Sequence, residues 1–119
     1  MKNMTGFFYF SDHSENVLHH AGHDPSFFSF DMIRIPMFAW FSRYYRNKYP
    51  VLYANLKRHS VSIFTNDLIF DTVIGMTNIK TDANQKKFDL SSPLYRLKKE
   101  EALTLHGKLH ITDQSSITR

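Results

Sequence analysis

The aromatic run Gly6–Phe10, GFFYF, is the feature that most restricts how this chain can fold. Aromatic residues favour β-strands, and the run stops at Ser11, with Asp12 and His13 directly after it. Neighbouring side chains of a strand point to opposite faces, so these two can face one point only where the strand ends and the chain bends. The pattern therefore predicts a buried strand whose tip carries a carboxylate and an imidazole.

The composition favours a packed globular chain, either one small domain or part of a larger one. The chain has 119 residues, of which 42% are hydrophobic and 15% aromatic. Because it has no cysteine, disulfides, thiolate zinc sites and cysteine nucleophiles are excluded. The net charge of +4 suits phosphate-bearing partners without choosing among them. Its apolar stretches are too short to predict a membrane span or a signal peptide.

The middle of the chain predicts one extended segment followed by helices. Residues 32–40 read as a strand or extended segment, with Trp40 in the core. A helix over 42–49 should end before Pro50, which can open a second helix. Residues 60–64 read as a short strand.

Residues 65–79 predict the strongest helix of the chain. A polar residue at 65, 66 or 67 can cap it. One apolar face is expected to consist of Ile69, Phe70, Val73, Ile74 and Thr77. After Lys80 the composition turns polar, which predicts a surface extension with a short helix near 98–105.

The chemistry at the strand tip suits a divalent cation. Asp12 offers a carboxylate oxygen and His13 an imidazole nitrogen, both of which bind zinc, and Glu15 is close enough to orient the His13 ring. Zinc takes about four ligands, and the nearby candidates are His19, His20 and His23. The spacing matches no standard zinc motif. The alternative is a solvated loop in which Asp12 caps a short helical turn.

Several segments resemble one enzyme family in the same order along the chain. YFSDHSENV resembles the strand-end signature S-D-H-G-E of the sulfatase and phosphoethanolamine transferase branch of the alkaline phosphatase superfamily. Three later segments are similar to later parts of the family pattern: GHDPSFFSFDMIRIPMFAWFS, TNDLIFDTVIGMTNI and FDLSSPLYRL. The resemblance covers most of residues 7–98. It implies the C-terminal part of an alkaline-phosphatase-like α/β domain over 1–98, followed by a polar extension over 99–119.

The resemblance also implies roles for individual residues. Asp12 and His13 match the family's metal-binding pair, which implies Zn²⁺ or a similar divalent cation as cofactor. His23 matches a histidine that contacts the substrate phosphate or a second zinc. Ser14 stands where the family has glycine, a residue that adopts a tight turn with positive φ at little cost.

The family reaction moves phosphoethanolamine from phosphatidylethanolamine to a lipid A, core sugar or glucan acceptor through a nucleophilic threonine. That threonine and the membrane helices precede this signature, so the resemblance implies that this chain carries no catalytic residue. The expected partner is the missing N-terminal half, in an inner-membrane enzyme whose catalytic domain faces the periplasm. Alone, the chain is expected to bind metal weakly and to be inactive.

A different function is suggested by residues 42–60, which interleave basic residues with tyrosines and contain no acid. In such a stretch the basic side chains could bind phosphates and the tyrosine rings could stack on bases, as in a small basic phosphate- or nucleic-acid-binding module. The commoner situation for such a stretch is a pair of surface helices with basic outer faces and tyrosines that pack inward. No nucleic-acid-binding motif is present, so a nucleic-acid partner is not expected.

Overall fold

The computed structural model describes residues 3–16, 22, 24, 26, 28–104, 107 and 109–113, and it confirms the predicted α/β class. Its helices and strands, in chain order, are β1 (Gly6–Phe10), β2 (Met37–Phe41), α1 (Arg43–Lys48), α2 (Pro50–His59), α3 (Ile69–Met76), β3 (Leu103–Thr104) and β4 (Leu109–His110). Short 3₁₀ helices lie at Phe30–Ile33, Asn66–Leu68, Lys99–Glu101 and Ile111–Asp113. None of the described helices has the length and apolar character needed to cross a bilayer.

Strands β1 and β2 form a two-stranded antiparallel ribbon with Gly6 opposite Phe41 and Phe10 opposite Met37. The predicted strand at β1 is confirmed, but its predicted burial is wrong. Directly opposed residues share a face, and the face that carries Phe7 and Trp40 is exposed to solvent. Trp40 is therefore not a core residue, because no described segment covers this side of the ribbon.

Two consecutive helices follow the ribbon, and their boundary falls where the sequence predicts it. The Ser42 hydroxyl accepts a hydrogen bond from the Tyr45 amide (3.2 Å) and caps α1. Pro50 then opens α2, where its missing N–H costs nothing. The buried Tyr45 ring stacks on Phe41 with centroids 4.5 Å apart, which attaches the ribbon to the helices.

Helix α3 lies inside the predicted range but buries a different face. Its buried residues are Asp71, Thr72 and Gly75, whereas Phe70 is 54% exposed. The predicted apolar face is wrong because the side that packs inward meets polar chain from residues 84–92. Thr65 occupies the N-cap position of the preceding 3₁₀ turn but makes no side-chain capping bond there.

The polar segment after Lys80 is part of the core around residues 84–92, so the predicted surface extension is wrong there. Asp89, Leu90 and Ser91 are all buried. Asp89 accepts hydrogen bonds from the Ser91 amide (2.8 Å) and hydroxyl (2.5 Å), and Lys86 lies 3.3 Å away. Buried polar groups are stable when paired in this way, which the composition alone does not reveal.

Two smaller predictions also fail. Residues 60–64 form turns and irregular chain, because no neighbouring strand pairs with them in the described part of the structure. The helix predicted near 98–105 is a single 3₁₀ turn at Lys99–Glu101, and the chain then enters β3. The proposed division into 1–98 and 99–119 stays a prediction.

Candidate metal centre

The turn after β1 is fixed by hydrogen bonds along its whole length. The Ser11 hydroxyl donates to the carbonyl of His13 (2.6 Å), and Asp12 Oδ1 accepts from the His13 amide (3.0 Å). The Ser14 amide donates to the Met32 carbonyl (2.8 Å), which ties the turn to the 3₁₀ helix that precedes β2. The strand therefore ends at Phe10, and the chain bends at once, as the sequence predicts.

Asp12 and His13 point toward each other at this bend. Asp12 Oδ2 and His13 Nε2 are 3.6 Å apart, and both side chains are open to solvent. Two ligands placed about 2.0–2.1 Å from a tetrahedral zinc ion stand about 3.3 Å apart, so a small rotation of either side chain would let both bind one ion. His13 Nδ1 lies 3.1 Å from the Ser14 carbonyl. A proton on Nδ1 leaves Nε2 as the ligand atom, which is the usual arrangement of metal-binding histidines.

A second element holds this turn from the other side. The Asn66 side chain donates from Nδ2 to the carbonyls of Ser11 (3.2 Å) and Asp12 (2.7 Å). Asn66 opens the 3₁₀ turn that leads into α3, so the start of this helical segment positions the Asp12 backbone. The sequence pattern predicts Asn66 only as one of three possible helix caps, and no local signal indicates a bond to a residue more than fifty positions earlier.

A cavity of about 770 Å³ opens beside the pair. Asp12 and His13 contribute to its lining, together with Asn66 and Thr104. Most of the remaining lining is apolar, including Met32, Ile33, Ile35, Ile63, Phe64 and Leu103. The Thr104 hydroxyl is buried and has no hydrogen-bond partner among the described residues. The site thus combines a polar pair with an apolar recess.

The other predicted site residues remain untested. Glu15 is exposed, and its predicted contact with the His13 ring stays a prediction. His19, His20 and His23 lie outside the described residues, so the predicted phosphate contact of His23 also stays a prediction. Within residues 3–16, 28–104 and the shorter described stretches, no group of three or more potential ligands gathers. The described part of the chain therefore offers two ligand positions, at Asp12 and His13.

The basic stretch over residues 42–60 uses its tyrosines mainly for packing. Tyr45 is buried, and Tyr49 lies 5.4 Å from it, measured between ring centroids. Arg46 lies over the Tyr53 ring at 5.7 Å. Tyr44 is 40% exposed. These contacts match the interpretation as surface helices with inward tyrosines, and few rings are left for stacking on bases.

The geometry places Asp12 and His13 beside each other at a strand end of an α/β chain, and a carboxylate and an imidazole are ligands that divalent cations accept. The chain is similar to the phosphoethanolamine transferase EptA of Salmonella typhimurium, with 33% identity over 101 residues. This similarity covers 81% of the chain but 18% of the relative, so the chain spans less than a fifth of that protein's length. No family model matches the chain, and no solved structure matches it significantly. The chain is thus distantly related in sequence to a phosphoethanolamine transferase.

Proposed function

We propose that this chain is part of a metal-dependent phosphoethanolamine transferase of the sulfatase branch of the alkaline phosphatase superfamily. The complete enzyme would move phosphoethanolamine from phosphatidylethanolamine to a lipid A, core sugar or glucan acceptor of the cell envelope. It would act at the inner membrane with its catalytic domain in the periplasm. The observation that carries the proposal is the 33% identity to a named phosphoethanolamine transferase over most of this chain.

Within that enzyme, Asp12 and His13 would hold Zn²⁺ or a similar divalent cation. Such an ion stabilises negative charge on phosphoryl oxygens and lowers the pKa of a bound hydroxyl. The role of Asp12 is to present Oδ2 to the ion, while Oδ1 stays on the His13 amide. The role of His13 is to present Nε2, with its ring held through Nδ1 by the Ser14 carbonyl. His23 would contact the substrate phosphate, and Glu15 would support His13.

The nucleophile and further metal ligands would come from polypeptide outside this chain. Two ligands are half of what a zinc site usually has, and among the described residues no group of three or more potential ligands joins the Asp12–His13 pair. We therefore expect the isolated chain to bind zinc weakly and to transfer no phosphoethanolamine.

A hybrid enzyme tests the proposal directly. In it, this chain replaces the aligned segment of the Salmonella transferase, and lipid A from cells that express the hybrid is analysed by mass spectrometry. We expect phosphoethanolamine on lipid A with the native chain and none with Asp12→Ala or His13→Ala. The matched control is Asp82→Ala, an exposed carboxylate in a loop, which should leave the product level unchanged. Equal product from the Asp12→Ala and native hybrids would contradict the assigned metal role.

Calorimetry of the isolated chain adds a second, independent readout. Titration with Zn²⁺ should give a dissociation constant in the micromolar range or weaker, because an incomplete ligand set leaves the ion partly hydrated. Nanomolar affinity would contradict the proposal that the site needs another polypeptide. Loss of the weak signal in Asp12→Ala, with Asp82→Ala unchanged, would locate the binding at the strand tip.

A further inference from the structure

One face of the β1–β2 ribbon consists of aromatic rings that nothing in the described structure covers. It carries Phe7 and Tyr9 from β1, opposite Trp40 and Phe38 from β2. Their exposed fractions are 53%, 42%, 57% and 55%, in that order. The four residues, here called the aromatic face, present about 400 Å² of apolar surface if each exposes about half of its area. That is comparable with the largest apolar patch on a typical soluble protein.

The rings of the aromatic face already form an ordered surface. The Tyr9 and Phe38 rings stack with centroids 5.0 Å apart, and Phe7 lies 5.8 Å from Phe38. Because the rings are held against each other, a partner would lose little side-chain entropy on covering them. This pre-arrangement is typical of an interface and is not needed in a surface that faces only water.

The unpaired edges of the ribbon are a second feature that another segment of polypeptide could cover. In the part of the chain that the structure describes, β1 and β2 pair only with each other, so each has an outer edge without a neighbouring strand. Such an edge presents backbone N–H and C=O groups that readily pair with another chain. A ribbon of two strands is marginally stable by itself and gains stability when further strands or a covering layer are added.

The dimensions of the chain also differ from those of a compact domain. Its radius of gyration is 16.4 Å, and it extends 54 × 28 × 22 Å. A compact domain of the same length has a radius of gyration of about 13.5 Å. The chain is therefore more extended than a compact domain of the same length.

We propose that the aromatic face and the outer strand edges are the docking surface for polypeptide outside this sequence, of the class formed by the remainder of a phosphoethanolamine transferase. This inference rests on the proposed function and assigns the contact surface within it. The aligned segment leaves more than four fifths of the Salmonella relative without a counterpart in this chain. A partner of that size can cover the rings and also add strands at the edges. Since β1 leads directly into Asp12 and His13, a strand added beside it would end next to the candidate metal centre.

Two other occupants fit the observations less well. A second copy of this chain would add only an equal patch of about 400 Å², half of the roughly 800 Å² that each partner of a stable complex usually buries. Both copies would also carry a net charge of +4. A membrane could cover the rings, but lipid offers no hydrogen bonds to open strand edges, which do not occur in hydrocarbon.

The test measures docking without metal or turnover, so its outcome is independent of the metal-centre assignment. The probe is the Salmonella transferase from which the aligned segment has been deleted, purified in detergent and immobilised, and biolayer interferometry measures how tightly the full chain binds. We expect saturable binding that weakens at least tenfold in Phe38→Ser and Trp40→Ser, because exposed aromatic anchors dominate such interfaces. Phe70→Ser is the matched control, with a similar exposure of 54% on α3, and should bind like the native chain. The double variant Asp12→Ala, His13→Ala should also dock normally.

If the Salmonella transferase that lacks the aligned segment does not fold, hydrogen exchange on the hybrid enzyme tests the proposal instead. There, amides of β1 and β2 should exchange at least tenfold more slowly than in the isolated chain, whereas the α2 amides serve as the internal reference. Equal exchange in both proteins would overturn the proposal, and so would binding that survives the ribbon substitutions. Sedimentation could instead show a dimer of the chain that Phe38→Ser and Trp40→Ser abolish. That result would overturn the proposal in favour of self-association. Flotation on phosphatidylethanolamine–phosphatidylglycerol vesicles that needs the same rings would overturn it in favour of a membrane.

Discussion

Gly75 shows how a single residue decides whether the polar core can form. A Cβ atom at this position would overlap with both carboxylate oxygens of Asp89. The Asp89 carboxylate cannot simply move away, because Ser91 and Lys86 hold it. The position requires glycine to leave room for the Asp89 carboxylate, although the residue lies in the last turn of α3, where glycine is otherwise unfavourable.

Gly75→Ala therefore separates helix propensity from packing. Propensity alone predicts that alanine stabilises α3 by about 1 kcal/mol. Overlap with the buried carboxylate predicts a loss of about 2 kcal/mol, the usual range for overpacking. We expect the second effect to win, measured as a lower free energy of unfolding in urea. Asn47→Ala, at an exposed position of α1, is the control and should be neutral or stabilising. A more stable Gly75→Ala protein would contradict the close contact with Asp89.

The buried Tyr45 and the half-buried Tyr95 make the stability of the chain sensitive to alkaline pH. Burial raises the pKa of Tyr45 to about 12, with smaller contributions from Tyr49 and Asp89. Burial likewise raises the pKa of Tyr95 to about 12, with a contribution from Asp67. The Tyr45 hydroxyl donates to the Met76 carbonyl, and the Tyr95 hydroxyl donates to the Ile63 carbonyl. Ionisation would remove both donors.

The free energy of unfolding should therefore fall as the pH rises above 10. Below pH 10 both the folded and the unfolded chain keep these protons, so the contribution of the tyrosines is complete. Between about pH 10 and 12 the unfolded chain has lost protons that the folded chain still holds, which favours unfolding. Urea unfolding at increasing pH measures the slope, which should be shallower in Tyr45→Phe and Tyr95→Phe. Tyr44→Phe, at an exposed position, should keep the native slope. An identical slope in all three variants would contradict the prediction.

At the scale of elements, side chains of two helices anchor residues 84–92 through hydrogen bonds to the backbone of this segment. The Leu90 amide donates to the Thr72 hydroxyl (3.2 Å) of α3, and the Leu90 carbonyl lies 2.8 Å from His59 Nδ1 of α2. Asn55 of α2 donates to the Ser91 carbonyl (2.9 Å). An irregular segment can be buried only if its backbone groups find partners, and the two helices supply them.

Thr72→Val tests this anchoring with almost no change in shape. The substitution leaves the buried Leu90 amide without an acceptor, which should lower the free energy of unfolding by about 1–3 kcal/mol. Thr77→Val is a matched control on the same helical segment, because the Thr77 hydroxyl bonds only to the Val73 and Ile74 carbonyls. It should change stability by about 0.5 kcal/mol or less. Equal losses in the two variants, measured by urea unfolding, would mean that the Leu90 contact contributes nothing specific.

These contacts explain which elements could be predicted from the sequence. The boundary at Pro50 and the end of β1 at Phe10 follow from local chemistry, so the sequence predicts both correctly. The buried face of α3 depends on a polar partner that follows it in the chain, and no apolar periodicity indicates such a partner. In the same way, the Asp12–His13 pair could be found from adjacent residues, but the Asn66 bond to the turn could not.

At the scale of the whole molecule, the chain consists of two parts with different amounts of packing. Helices α2 and α3 and residues 84–92 share a buried network of hydrogen bonds. The ribbon is attached to this body mainly by the Phe41–Tyr45 stack and by hydrogen bonds from Thr5 to Ser42 and from Asn66 to the turn. No other segment of the described structure covers the aromatic face of the ribbon.

This difference predicts uneven protection from hydrogen exchange in the isolated chain. Amides of β1 and β2 should exchange through local opening, because separating the ribbon exposes little surface beyond what is already exposed. Amides of α2 and α3 should exchange only when the whole chain unfolds, since opening either helix breaks the buried contacts to residues 84–92. Mass spectrometry of peptides covering the ribbon and α2 measures the two rates, and mild urea should accelerate exchange in the helices more than in the ribbon. If both regions show the same protection and the same urea dependence, the ribbon is an integral part of one cooperative unit. An exposed sheet would then need no partner for its stability.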